Sequence, residues 1–201
     1  MGVDVDTDEV ALVGEETTTN LARAAVFAAI TAATAPVNIT HPLAPNIPIT
    51  LQTFWVYLSG IVLGPVYAGL SFVLYVVAGA VGLPVFAGGS GGIGVLFGNT
   101  GGYIVGFVVA AVAIGFVTHG TDGLRPLSRV GVGRLVLALV VGTAAIYAFG
   151  VAGLMLNVDL GLATAIQTGV LPFLPVAAIK IAGAIAVARG DAIPWDEIVA
   201  R

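Results

Sequence analysis

Apolar residues fill this chain in long blocks, and glycines, prolines and small polar residues interrupt the blocks at helix-length intervals. From residue 24 to residue 121 there is no Asp, Glu, Lys or Arg. Cutting at the interruptions predicts six helical segments, at about 20–35, 51–63, 66–81, 102–118, 132–156 and 172–188. The stretch "PVNITHPLAPNIPIT" (36–50) carries four prolines, which forbid a continuous helix there. Gly64-Pro65 separates the second segment from the third, and the glycine-rich "GLPVFAGGSGGIGVLFGNTGG" (82–102) separates the third from the fourth. The fold expected is all-α, a polytopic membrane protein with six transmembrane helices spread over residues 21–190.

Composition agrees with that pattern: 58% of residues are hydrophobic, 9% are charged and the mean hydropathy is +1.07. An ordinary soluble domain is about 25% charged, so a membrane is the expected solvent. Six of the eleven acids (Asp4, Asp6, Asp8, Glu9, Glu15, Glu16) crowd the first sixteen residues, and residues 1–20 read as an acidic disordered tail. Residues 191–201 read as a second short tail. Six arginines flank one set of segment ends: Arg23, then Arg125, Arg129 and Arg134, then Arg189 and Arg201. The opposite loops, 36–50, 83–101 and 157–171, carry no Lys or Arg. By the positive-inside rule both termini are expected in the cytoplasm, with the proline-rich and glycine-rich loops outside and the protein multi-pass in the plasma membrane.

Few residues offer chemistry. With no cysteine there are no disulfides, thiolate metal sites or cysteine nucleophiles. His41 and His119 fall at opposite ends of their segments, and neither a zinc-protease motif nor a nucleophile elbow nor a phosphate-binding loop occurs, so no enzyme, metal or cofactor is expected. A net charge of −4, mostly from the tail, argues against nucleic acid. Gly89, Gly91 and Gly94 match the spacing of a dinucleotide fingerprint but lack its strand–helix setting and its acid. More telling is their company: Phe86, Ser90, Asn99, Thr100 and Tyr103 lie close by, the composition of a cover over a small, uncharged, partly apolar ligand. Ala25, Ala29 and Ala33 recur every fourth residue and line one helix face, suited to close approach by another helix of this chain or of a partner. Lys180 stands alone in the apolar run 170–190, where a central lysine costs about 2.5–3.5 kcal/mol. It is expected to face a ligand pocket rather than reach to the surface, and its loss is expected to leave the unliganded protein as stable or more so.

Three stretches carry a family likeness. "PITLQTFWVYLSGIVLGP" (48–65), "GLPVFAGGSGGIGVLFGNTGGYIVGF" (82–107) and "LPFLPVAAIK" (171–180) closely resemble the BioY family, the membrane-embedded biotin-binding S components of energy-coupling factor (ECF) transporters. The resemblance implies a six-helix protein that captures biotin from outside and works with a transmembrane coupling subunit and two ATP-binding subunits. It turns Ala25, Ala29 and Ala33 into a partner interface, and it places Gln52, Thr53, Phe86, Gly89, Ser90, Asn99, Thr100, Tyr103 and Lys180 at the substrate. Two departures stand out. Asn99 replaces a proline usual in the family, and Ala177 replaces an aspartate usual three residues before the lysine. Asp159, in the next outer loop, is the carboxylate available to take that partner's place. The alternatives are an S component for another vitamin-like ligand, or a self-sufficient facilitator or channel, whose path would need polar rings that the segments do not supply.

Overall fold

The computed structural model describes residues 14–121, 123–190, 193 and 195–199. Most of the expected acidic tail, residues 1–13, lies outside that set, as do Asp122 and residues 191, 192, 194, 200 and 201. The chain forms α1 (Glu15–Thr34), a hairpin of β1 (Asn38–His41) and β2 (Ala44–Thr50), α2 (Gln52–Ala80), α3 (Gly101–His119), α4 (Val132–Asn157), α5 (Leu162–Gly169), α6 (Leu174–Arg189) and α7 (Trp195–Val199). Among the described residues, four stretches are long and apolar enough to cross a membrane: Gln52–Ala80, Gly101–His119, Val132–Asn157 and Leu162–Arg189. Large apolar side chains such as Val66, Val77, Phe116, Leu137 and Ile179 are exposed along the helices, as a lipid-facing surface requires.

The longest of these elements is folded back on itself. Gln52 Nε2 donates to Tyr75 Oη, whereas 23 residues of straight helix would hold the two about 35 Å apart. Gly64 makes the reversal, with φ 70° and ψ −178°. It ends the arm 52–63 in a conformation open to glycine, and Pro65 starts the arm 65–80 at a position where its missing N–H is no loss. Ending the first arm orphans its last carbonyls. His119 Nε2 lies 2.7 Å from Ile61 O, and His119 Nδ1 accepts from the Arg125 backbone N–H at 2.9 Å. The second bond fixes the proton on Nε2, so the fully buried histidine donates to the orphaned carbonyl and pins the following loop to the tip.

α3 forms the centre, packed extensively against both arms of α2 on one side and against α4 on the other. A methyl at Gly115 would come within 2.4 Å of the Gly64–Pro65 peptide, so glycine is what lets the hairpin tip touch α3. α1 lies against α2, and Trp55 Nε1 donates to Thr34 Oγ1 at 2.9 Å. Ala24, Phe27, Ala28 and Thr31 face this contact, while Ala25, Ala29 and Ala33 are exposed on the opposite face.

Several sequence expectations need correction. The chain is mostly helical, as expected, but the all-α class omitted the antiparallel pair β1–β2, where Pro45 and Pro48 of β2 exclude helix and leave a two-stranded edge ribbon available. α1 begins at Glu15 and not near residue 20. The expected loop 157–171 contains α5, too short to cross a membrane and therefore invisible to a search for spans. The expected C-terminal tail contains α7, held by Trp195 Nε1 donating to Val187 O at 2.8 Å.

Candidate functional site

One chamber brings together Lys180, Gln52, Thr53, Tyr57, Tyr103, Thr143 and Tyr147 from four helices. Its walls come from β2, the first arm of α2, the first half of α3, the middle of α4 and the start of α6. It is an open-mouthed cavity with about 720 Å³ of space between and in front of its walls, open solvent included. Ile47, Ile49, Ile104, Phe107 and Phe173 make it largely apolar, and Lys180 is its one charged lining residue among those described.

Lys180 reaches the chamber from the second turn of α6 and is not left bare. Its Nζ donates to Thr50 O and to Thr53 Oγ1, both at 2.6 Å. These acceptors sit where β2 turns into α2, so the lysine ties α6 to that junction while keeping a third N–H. Thr50 Oγ1 donates to Gln52 Oε1 at 2.6 Å, and Tyr75 Oη donates to Val85 O at 2.9 Å. Because Val85 O can only accept, the chain of donors runs from Thr50 through Gln52 to Tyr75, and Gln52 is held with its Nε2 toward Tyr75. The hairpin is clasped from the other side by His41, whose ring lies 5.4 Å from that of Phe173.

Of the sequence-derived candidates, Lys180, Gln52, Thr53, Thr100 and Tyr103 line this chamber together. Phe86 does not. It is buried against Gly79, where even a methyl would collide with its ring, and it meets Tyr75 edge-on at 5.5 Å. Its work is to anchor the glycine-rich loop, helped by Gly92 N–H donating to Gly79 O at 2.7 Å. Gly89 and Ser90 stay outside the chamber, Ser90 exposed and bonded back to Ala87 O, so from that loop Ala87 and Thr100 supply the lining. Asn99 lines a separate cleft beside α5. Asp159 is exposed on a left-handed turn and lies outside the chamber, so it does not replace the missing carboxylate beside Lys180. Ala177 lines the chamber one turn before the lysine, where an aspartate would have pointed inward.

Sequence reasoning passed over Tyr57, Thr143 and Tyr147, all on the chamber wall. The signal was present: Thr143 and Tyr147 are four residues apart in "GTAAIYAFG" and therefore share a face, and hydroxyls inside an apolar span turn inward. Tyr57 Oη and Thr143 Oγ1 lie 2.6 Å apart, and Tyr103 Oη donates to Gly169 O at 2.8 Å.

The sequence matches the BioY family model over residues 7–193. The chain belongs to the BioY family. A biotin transporter BioY of Thermotoga maritima is 39% identical over 84% of this chain and 92% of its own. A probable biotin transporter BioY of Pyrococcus horikoshii is 38% identical over 82% and 91%. The fold resembles that of a solved S-component for biotin from an ECF-type ABC transporter, with TM-score 0.73, 24% identity and coverage of 89% and 93% of the two chains. These two relatives match across nearly their whole length, and the membership expected from the three sequence stretches holds. As a BioY protein the chain is a multi-pass membrane protein of a transporter family.

Proposed function

We propose that this chain is the biotin-binding S component of an ECF-type importer and that biotin occupies the chamber around Lys180. What carries the reading is a single cation in a largely apolar chamber, at the end of the bundle away from the arginines. Biotin offers such a site a carboxylate and a ureido oxygen, either of which takes a lysine N–H, and an apolar bicyclic body for the isoleucine and phenylalanine walls. The chain then crosses the membrane six times, through α1, the two arms of α2, α3, α4 and α6. Both ends lie in the cytoplasm, the chamber opens outward, and the membrane is the cell's own plasma membrane. The exposed face of Ala25, Ala29 and Ala33 supports docking of a coupling subunit, which with two ATP-binding subunits drives uptake.

Radiolabelled biotin binding to the purified chain in lipid nanodiscs tests the first part. Saturable, stoichiometric binding without other subunits is expected, and a chain that binds no biotin overturns the reading. Uptake by cells carrying the chain alone, equal to that with the energising subunits, would favour a facilitator instead.

A further inference from the structure

Hydrogen-bond directions in the chamber specify more than its shape. Thr143 Oγ1 lies 2.7 Å from the carbonyl of Leu139, one turn back on α4, and a carbonyl oxygen accepts only, so the single hydroxyl proton of Thr143 is spent there. Tyr57 Oη is 2.6 Å from the same Thr143 oxygen. Thr143 has no second proton to give, so Tyr57 donates. The side chain of Tyr57 is fully buried and lines the chamber, and its one proton is turned into the wall. Lone pairs are what its oxygen has left to offer. Tyr103 is in the same position, having given its proton to Gly169 O. Lys180 is the converse, a group with donors alone.

We propose that Tyr57 is an obligate acceptor for a ligand N–H, that Thr143 is the positioning residue which makes it so, and that together they select the N–H edge of a cyclic urea. The proposal rests on the biotin reading and deepens it by naming what recognises one part of the ligand. A chamber wired this way accepts a ring N–H at Tyr57 and rejects an isostere with oxygen at that place, because two sets of lone pairs would then face each other in a dry site.

The test uses the full chain in nanodiscs and displacement of radiolabelled biotin by biotin and by its two isosteres in which one ureido N–H is replaced by ring oxygen. Against the parent, one isostere is expected to bind about tenfold or more weakly than biotin. Tyr57→Phe should weaken biotin by about tenfold and bring that isostere level with it. Thr143→Val, which keeps the side-chain volume, frees the Tyr57 proton to turn into the chamber, so biotin weakens and the isostere gains. Thr143→Ser, which keeps the hydroxyl, should recover the parent's preference, a result that loss of packing alone does not give. A preference unchanged by Tyr57→Phe, or equal in the Val and Ser variants, overturns the assignment while leaving biotin binding intact. Failure of the parent chain to bind biotin overturns the functional reading and this assignment with it.

Discussion

Lys180 spends two of its three donors inside the protein, on Thr50 O and Thr53 Oγ1, and that changes what its removal should do. From the sequence, an unpaired lysine in an apolar run should be a burden whose loss is neutral or helpful. The structure gives it two acceptors, so Lys180→Ala removes two charge-assisted bonds that join α6 to the start of α2. A destabilisation of at least about 1 kcal/mol is expected, read as a lower melting temperature of the unliganded chain. Affinity for biotin should fall by about ten- to hundredfold, the worth of one charged hydrogen bond in a dry site. An unchanged melting temperature would mean that the two bonds contribute nothing. The presence of a lysine and its inward direction were legible from composition alone. Its partners were not, because Thr50 and Thr53 lie 130 and 127 residues away in sequence.

Among the elements, the α2 hairpin was half legible. Gly64-Pro65 marked a break, and counting 51–63 and 66–81 as separate crossings already called for a reversal there, but no local rule said that His119 closes the open end of the first arm. Gly64→Ala should therefore be severe. Its φ of 70° with ψ near 180° belongs to glycine, costing about 1–3 kcal/mol for any other residue, and a methyl there would also lie 2.4 Å from Leu124. His119→Ala should cost about 1–3 kcal/mol by leaving the buried Ile61 carbonyl without a donor. Both are read as lost thermal stability in detergent, and protein that melts like the parent would show that the tip is held by other means. The hairpin β1–β2 was illegible for a different reason. Prolines exclude helix without indicating strand, and the pairing of Asn38 with Thr50 spans a turn whose hydrogen bond comes from a side chain, Leu43 N–H to His41 Nδ1 at 3.1 Å.

At the scale of the whole molecule, packing separates α1 into two faces with different fates. Thr31 and Ala24 are buried against α2, and the alanine stripe is left outside. Ala29→Leu should leave biotin binding of the isolated chain unchanged and abolish ATP-driven uptake, since a bulky residue holds a partner helix away. Loss of binding in the isolated chain would show instead that this face contributes to the fold.

Two of the arginines that set the expected orientation also bond backbone carbonyls between the helices. Arg134 Nε donates to Val117 O at 2.6 Å in the last turn of α3, and an Arg189 guanidinium N–H donates to Val130 O. The same atoms thus serve as address and as fastening. Under the proposed orientation, a copy inserted upside down would have to drag those guanidiniums through lipid, and if they stayed behind it would be missing the Arg134 bond that finishes α3 and the Arg189 bond that ties α6 to Val130. Insertion error and folding error become one event, and the quality control that clears unfolded membrane protein would clear inverted protein as well.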